Sequence, residues 1–196
     1  FQSFCLVSPY NRISHYNVDI CANSELQAKT PFEDVHSVLE SPEHYKKLRR
    51  FFYWNKEEIV GLKNKGVIKY RTNNPKGKDG LRSAQVVFNE VHQYEDYANI
   101  NVFTTGLGKK AHPRRLYATT DGDVRDGPLD HYKERSKQVL EGAIPDNGWL
   151  PFICKLDKKS EVHKRENWEK ANPSLPYRPD LMEEIGKEYV DWLADP

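Results

Sequence analysis

Cysteine is scarce in this 196-residue sequence, and its three cysteines form no pattern. Cys5, Cys21 and Cys154 are odd in number, widely separated and without a CxxC pair. Small extracellular domains are held together by paired cysteines, and structural zinc sites use closely spaced ones. We therefore expect neither a disulfide framework nor a zinc site, and the cysteine usage favours a reducing compartment.

Long apolar runs and a dominant charge are also absent. No run approaches the roughly 18 apolar residues that a membrane span requires. The opening FQSFCLVSPY lacks the basic start and the cleavage site of a signal peptide. The 30 Lys and Arg residues nearly balance the 29 Asp and Glu residues. We expect a soluble protein with no membrane partner, and any nucleic-acid surface on it must be local.

Methionine is nearly missing as well. The sequence has one, Met182, and it begins with Phe1, which indicates a processed chain or a piece of a longer one. Glycine and proline, at 11 and 12 residues, are too few for a low-complexity chain, and 4 Trp, 11 Tyr and 8 Phe supply ample core material. The length suits one domain.

Strand-like and helix-like segments alternate along the chain. Strands are predicted at 16–22, 84–91, 116–119 and 149–156, with a β-hairpin formed by 54–60 and 67–72. Helices are predicted from 23 to the proline at 42, with Asn23 or Ser24 as the cap, and over 44–51, 97–105, 130–141, 161–170 and 181–193. A long loop is predicted at 73–83. This order predicts an α/β fold with parallel strands.

Two adjacent polar residues end the most apolar strand, VVFNE. Asn89 and Glu90 follow Val86, Val87 and Phe88. ATPases present a magnesium-associated residue and a water-activating carboxylate at such a strand end. Since neighbouring side chains on a strand point in different directions, one can reach a metal while the other reaches the attacking water. Any buried strand also ends in polar residues, so this pattern alone leaves both interpretations open.

A pair of threonines ends the next strand. Thr119 and Thr120 follow the segment LYA, where a hydroxyl can sense a phosphate or a water molecule. No pair of histidines has metal-ligand spacing, so we interpret His92 as a structural or sensor neighbour of Glu90 rather than as a metal ligand.

Basic residues concentrate in two loops that precede strands. The first loop contains Lys76, Lys78 and Arg82, and the second, GLGKKAHPRR, contains Lys109, Lys110, Arg114 and Arg115. Such loops can contact a phosphate backbone or act on the nucleotide of a neighbouring subunit, and they can also be solvated surface. A third cluster, at 46–50, is better explained as a solvated face.

Four stretches together resemble the large terminase subunit of tailed bacteriophages and prophages. They are NVDICANSELQAKTPFEDV, GLRSAQVVFNEVHQYED, LYATTDGD and ENWEKANPSLP, and their order covers most of the chain. The resemblance implies a P-loop NTPase fold of the helicase-like or RecA-like class, a parallel sheet flanked by helices. It also implies a small linker subdomain and a nuclease domain of ribonuclease H-like fold.

The resemblance also implies roles for individual residues. VVFNE corresponds to the Walker B strand, which makes Glu90 the catalytic carboxylate and gives Asn89 the position of the usual magnesium-associated Asp. Asn supplies a neutral oxygen there, so we expect water-mediated magnesium binding to be weaker. Thr119 and Thr120 correspond to the coupling motif. Either Lys78 or Arg82 is the candidate for the basic residue that acts in trans, and Lys109, Lys110, Arg114 and Arg115 are candidates for DNA binding.

The same resemblance predicts that the chain is an incomplete terminase. Residues 1–148 would be a partial ATPase domain without its Walker A loop, FQSFCLVSP would match the helix after that loop, and 149–196 would be the linker region. The parent would use ATP and Mg to move double-stranded DNA into a procapsid in the cytoplasm of a bacterial host. Its partners would be the portal protein, the small terminase subunit and further copies of itself. The isolated chain is expected to hydrolyse ATP poorly.

The sequence leaves two other functions open. NEVH resembles the DEAH box of helicase-type ATPases, although ENWEKANP and the proline-rich joint after it speak against a helicase. Asn89 favours a non-catalytic module that keeps the fold and binds DNA or a partner through its basic loops.

Overall fold

A computed structural model describes residues 2–71 and 82–194. Its helices are α1 Gln2–Val7, α2 Glu25–Glu40, α3 Tyr45–Leu48, α4 Ala98–Thr105, α5 Pro128–Leu140, α6 Trp168–Ala171 and α7 Pro179–Ala194. Its strands are β1 Val18–Cys21, β2 Phe52–Trp54, β3 Glu58–Gly61, β4 Val67–Arg71, β5 Gln85–Asn89 and β6 Arg114–Ala118. The chain divides into two compact units, Phe1–Arg135 and Ser136–Pro196, with the division inside α5.

The first unit is built on one six-stranded mixed sheet in the order β2-β3-β4-β1-β5-β6. Strands β4, β1, β5 and β6 are parallel, whereas β2, β3 and β4 are antiparallel. The predicted α/β fold with parallel strands is therefore confirmed. The predicted hairpin extends that same sheet with antiparallel strands, so the sheet is mixed rather than wholly parallel.

The central strands are buried on both faces, as the run of apolar residues in β5 predicts. Alternation along β5 directs Val87 to a core that includes Phe32 of α2, and it directs Val86 and Phe88 to a second core that includes Phe103 of α4. Layers of helices therefore cover both faces of the sheet. The carboxyl ends of β1, β5 and β6 meet at one edge.

Helix α2 begins as its sequence predicts. The Ser24 hydroxyl accepts a hydrogen bond from the main-chain N–H of Gln27 at 3.3 Å, which is the N-cap arrangement. Pro31 lies inside the helix and lacks an N–H. The carbonyl of Gln27, four residues earlier, is thereby deprived of its helical hydrogen-bond donor.

The helix predicted over 44–51 is shortened to Tyr45–Leu48, and three further predicted elements differ in kind. Residues 54–60 are not one strand, because the Asn55 Oδ1 accepts hydrogen bonds from the N–H groups of Glu57 and Glu58 and turns the chain between β2 and β3. Residues 149–156 form no strand within the described chain, where Pro151 lacks an N–H and the apolar side chain of Leu150 is exposed.

The third difference lies at 161–170, predicted as a helix. It consists of 3₁₀ turns at Lys159–His163 and Arg165–Asn167 followed by the short α6. Lys164 has an extended backbone (φ −113°, ψ 100°), which interrupts the helical hydrogen bonding.

The second unit has its own small core around Trp168 and Leu175, both nearly buried. The Trp168 indole N–H donates to the Val162 carbonyl at 2.7 Å, and its ring meets that of Tyr189 of α7 edge-on. The predicted last helix is confirmed, starting two residues earlier than expected at Pro179. Among the helices that the structure describes, none combines the length and the apolar character that a bilayer crossing requires.

Candidate functional site

The candidate site lies where β5 and β6 end side by side. β5 runs to Asn89 and β6 to Ala118, and these two residues are register partners. Glu90 then takes a left-handed conformation (φ 53°, ψ 52°), which ends the strand and starts a 3₁₀ turn over Val91–Gln93. A non-glycine residue in this region is uncommon and accompanies functional sites often enough to merit attention.

His92 connects the ends of the two strands. Its Nδ1 lies 3.2 Å from Oε2 of Glu90 and 3.2 Å from the hydroxyl oxygen of Thr119. The main-chain N–H of His92 donates to the same hydroxyl at 3.0 Å. The predicted neighbourhood of His92 and Glu90 is therefore confirmed. The side chain of Glu90 is one-third exposed, so its carboxylate remains accessible to solvent.

Thr119 and Thr120 follow β6 and are exposed. The Thr119 hydroxyl donates to the carbonyl oxygen of Thr120 at 2.7 Å. Thr119 thus contacts the Glu90 and His92 turn directly, whereas Thr120 contributes its main-chain carbonyl.

Asn89 points away from that group, toward helix α2. Its Nδ2 donates to the carbonyl oxygen of Gln27 at 3.1 Å, the carbonyl that Pro31 leaves without a helical donor. Because that carbonyl can only accept, the amide orientation is fixed with nitrogen toward α2. The amide oxygen is the polar atom of this side chain that α2 does not engage through that hydrogen bond.

The donor set suits a magnesium ion that keeps most of its water. Among the described residues, no group of three or more His, Cys, Asp or Glu side chains could hold a metal by itself. Mg²⁺ in nucleotide sites is bound by one or two protein oxygens together with waters and phosphates. The Asn89 amide oxygen and the Glu90 carboxylate fit that role and would not suffice for a metal without a nucleotide.

The candidates for a trans-acting residue lie before β5. Lys78 is outside the described residues. Arg82 is exposed and precedes the buried Ser83, whose hydroxyl donates to the carboxylate of Asp19. The Nε of Arg71 donates to the other carboxylate oxygen of Asp19 at 2.8 Å. Arg82 therefore lies at the amino end of β5, at the opposite edge of the sheet from Glu90.

The second basic loop lies at that opposite edge too. Arg114 and Arg115, predicted in a loop, form the start of β6, because Gln85 and Val86 of β5 pair with them. Lys109 is exposed, and the Nζ of Lys110 donates to the carbonyl of His15 at 3.4 Å.

Tyr16 anchors the second basic loop by a hydrogen bond. Its hydroxyl donates to the carbonyl of His112 at 2.6 Å. Burial raises the pKa of Tyr16, and the charge of Arg114 opposes that rise. The loop is therefore held to the segment before β1, on the far side of the sheet from Thr119.

Three contributors to the site carry no local sequence signal. Gly122 packs against the ring of His92, and a Cβ at Gly122 would lie 2.6 to 2.8 Å from ring and Cβ atoms of His92. The Gln27 carbonyl, 62 residues away in sequence, orients the Asn89 amide, and Pro31 leaves that carbonyl without its helical donor. Only the i, i+4 spacing of Gln27 and Pro31 hints that a carbonyl needs an outside donor.

Comparison with known proteins shows what the chain is similar to. Residues 15–138 match the family model "Terminase large subunit, ATPase domain". The terminase large subunits of Lactococcus phages p2 and SK1 are each 25% identical over 170 residues, which cover 84% of this chain and 31% of theirs. Protein YmfN of Escherichia coli K12 is 26% identical over 97 residues, covering 50% of this chain and 21% of that protein.

A solved structure shares the fold. The crystal structure of the HK97 bacteriophage large terminase superposes with a TM-score of 0.76 at 18% identity, over 94% of this chain and 38% of that one. The chain thus spans about a third of the length of its phage relatives. Since the family model covers more than half of the residues, this chain belongs to the family of the terminase large subunit ATPase domain.

Proposed function

We propose that this chain is part of the ATPase motor of a phage large terminase. In the full-length polypeptide it hydrolyses ATP to move double-stranded DNA into a procapsid. The observation that carries the proposal is the Glu90 carboxylate, one-third exposed and contacted by His92 where β5 and β6 end.

Each side chain at that edge has a proposed task. Glu90 accepts a proton from the water that attacks the terminal phosphate, because a carboxylate positioned at a strand end can act as the general base. Thr119 orients that water or the phosphate by turning its hydroxyl proton away from the Thr120 carbonyl, which holds it at 2.7 Å in this structure. The Asn89 oxygen helps to hold Mg²⁺, which neutralises phosphate charge when it is bound.

The remaining assignments rest on membership of the family. We propose that the full-length subunit assembles with copies of itself, a portal protein and a small terminase subunit in the cytoplasm of a bacterial host. Residues 149–196 would serve as a linker subdomain, and Lys78 or Arg82 would act on a neighbouring subunit's nucleotide. The near-zero net charge suits a motor that grips DNA through a few basic residues and then releases it.

Steady-state ATP hydrolysis by the full-length large subunit tests the proposal. Wild type is expected to show Mg-dependent turnover, and Glu90→Gln is expected to lower kcat by about 10²- to 10⁴-fold, the usual contribution of a general base. Glu57→Gln, in the turn between β2 and β3, is the control that removes an exposed carboxylate elsewhere. Unchanged turnover in Glu90→Gln would refute the assignment.

The 196 residues contain no GxxxxGK[ST] motif. We therefore expect the isolated chain to hydrolyse ATP poorly, because nothing in it matches a phosphate-cradling loop. Robust Mg-dependent turnover by the isolated chain, abolished by Glu90→Gln, would contradict this expectation.

One observation favours a second function, a non-catalytic module that binds DNA or a partner. The side chain of Asn89 is neutral and its amide nitrogen is engaged by Gln27. Salt-dependent DNA binding that survives Glu90→Ala, together with no nucleotide binding by the full-length subunit, would support that function instead.

A further inference from the structure

We propose that His92 is a positioning residue that makes the orientation of Glu90 depend on the turn after β6, residues 119–122. The inference rests on the proposed function, because it concerns the group that activates the attacking water. It starts from a single side chain whose Nδ1 lies within 3.2 Å of both Glu90 and Thr119.

The hydrogen bonds of Thr119 fix which atom of His92 carries a proton. A threonine hydroxyl has one proton and can accept at two further positions. The proton is directed to the Thr120 carbonyl at 2.7 Å, and the main-chain N–H of His92 takes one acceptor position at 3.0 Å. The contact with Nδ1 must then be a donation by His92, so Nδ1 carries the proton and shares it between Thr119 and Glu90.

The turn after β6 also contacts His92 through packing. The ring lies against Gly122 so closely that a Cβ there would be 2.6 Å from Cδ2. A carbon that close would force the ring to move. Gly122 and Thr119 therefore hold the imidazole from two positions on the same turn.

The two turns that His92 contacts, one at Glu90 and one at Thr119, are held by different elements of the fold. On the β5 side, the N–H of Gln93 donates to the carbonyl of Glu90 at 3.0 Å, and the Asn23 amide after β1 donates to the carbonyl of Gln93. On the β6 side, the Lys133 ammonium of α5 contacts both carboxylate oxygens of Asp121 at 3.1 and 3.2 Å.

The Glu90 turn is thus fixed to the sheet, whereas the Thr119 turn is tied to α5. A displacement of the Thr119 turn reaches the Glu90 carboxylate through the His92 ring. His92 thereby links the conformation of the β6 turn to the group that activates water.

The contact itself is tested by NMR on the 196-residue chain. The nitrogen chemical shifts of the His92 ring are expected to show the Nδ1–H tautomer. Thr119→Val, which removes the hydroxyl, is expected to speed exchange of the His92 amide by about tenfold or more, whereas Thr119→Ser retains its protection. An Nε2–H tautomer, or equal exchange rates in Thr119→Val and wild type, would overturn the proposal.

The positioning role is tested by ATP hydrolysis in the full-length large subunit. His92→Leu and His92→Asn are similar in size, and only Asn can place an N–H near the position of Nδ1. His92→Leu is expected to lower kcat by about 10- to 100-fold with little change in KM, because misplacement of a reacting group costs that much. His92→Asn is expected to recover most of the loss.

A glycine pair gives a second test that leaves the imidazole chemistry intact. Gly122→Ala is expected to lower kcat as His92→Leu does, because the new methyl group displaces the ring. Gly108→Ala is the control, since a Cβ there meets nothing within 4 Å. Equal kcat for His92→Leu, Gly122→Ala and wild type would overturn the positioning role while leaving Glu90 as the base. A wild-type subunit without ATPase activity would overturn the proposed function together with this role, even where NMR detects the contact.

Discussion

The Nδ2 of Asn89 lies 3.1 Å from the carbonyl oxygen of Gln27, and the hydrogen bond between them joins the end of β5 to helix α2. Pro31 explains why that carbonyl is available, because proline has no N–H to donate to the residue four positions earlier. An aspartate at position 89 would place a carboxylate against the carbonyl and could donate nothing to it. The hydrogen bond to α2 therefore explains why Asn stands at position 89, where the resemblance implies an Asp.

Because Pro31 leaves the Gln27 carbonyl to the Asn89 amide, changes at positions 31 and 89 are predicted to have coupled effects on stability. Asn89→Asp is expected to lower the free energy of unfolding by about 1–2 kcal/mol, since a partly buried acceptor loses its donor. In the Pro31→Ala background the helix supplies its own N–H to Gln27, so the same change is expected to cost clearly less. Urea unfolding of the four proteins of this cycle measures the difference, and equal costs in both backgrounds would exclude the coupling.

Arg71 is predicted to stabilise the fold by neutralising the buried carboxylate of Asp19. The Asp19 side chain is only 6% exposed, whereas that of Arg71 is 35% exposed. Arg71→Met is expected to lower the free energy of unfolding by about 2–4 kcal/mol, because a buried carboxylate loses its charged partner and keeps, among the described residues, the Ser83 hydroxyl. Lys69→Met is the matched control in β4, since its partner Glu58 is more exposed and the pair is worth less than about 1 kcal/mol. Similar losses for both variants would contradict the argument.

The sequence predicted the parts of the fold that depend on local signals. The Ser24 cap of α2 and the apolar run of β5 were recognisable because their causes lie within a few residues. Partners far apart in sequence were not recognisable. The donor to the Gln27 carbonyl lies 62 residues away, and the contact of His92 with Thr119 spans 27 residues.

The apolar composition of 149–156 predicts a strand that the structure, which describes all of these residues, does not contain. These residues resemble a strand, yet a strand needs a partner for its hydrogen bonds, and the described chain supplies none there. Arg114 lies in a polar, basic segment, which predicts a loop although the residue belongs to β6. A charged residue can occupy β6 because the start of that strand is exposed.

Asp121 is predicted to change its titration when Lys133 is removed. Hydrogen bonding to the Lys133 ammonium, with the Gly122 N–H adding to it, holds the pKa of Asp121 below the usual value of 3.8. Because the pKa is depressed in the folded state, the contact stabilises the turn above that usual value and is lost as pH falls through the folded pKa. Lys133→Met is expected to raise the pKa of Asp121 toward 3.8 in a carboxyl-carbon NMR titration.

Asp180 serves as the internal control for that titration. Its pKa, lowered to about 2 by Arg178, is expected to stay unchanged in Lys133→Met. An Asp121 carboxyl that titrates as in wild type would show that Lys133 does not hold the turn.

Gly61 at the end of β3 is predicted to tolerate no side chain. A Cβ there would lie 2.1 Å from the carbonyl oxygen of Val7, which is main chain and cannot swing aside. Gly61→Ala is expected to destabilise the first unit by about 2–3 kcal/mol, the cost of overpacking a closed site. Gly186→Ala in α7 has open space around it and is expected to stabilise its helix by about 0.5–1 kcal/mol. A wild-type urea midpoint for Gly61→Ala would contradict the close approach.

DNA binding by the full-length subunit is predicted to depend on the basic edge opposite Glu90. Within the described part of the chain, none of its four residues, Lys109, Lys110, Arg114 and Arg115, forms an ion pair with a carboxylate. Each phosphate contact contributes about 0.9 to the slope of log affinity against log salt, so replacing all four by Ala is expected to reduce that slope by about 3–4. Replacing Lys46 and Lys47 of α3 by Ala is the control for lost positive charge, and fluorescence anisotropy over a salt series measures both. Equal slopes for the fourfold variant and wild type would assign the DNA contacts to another surface.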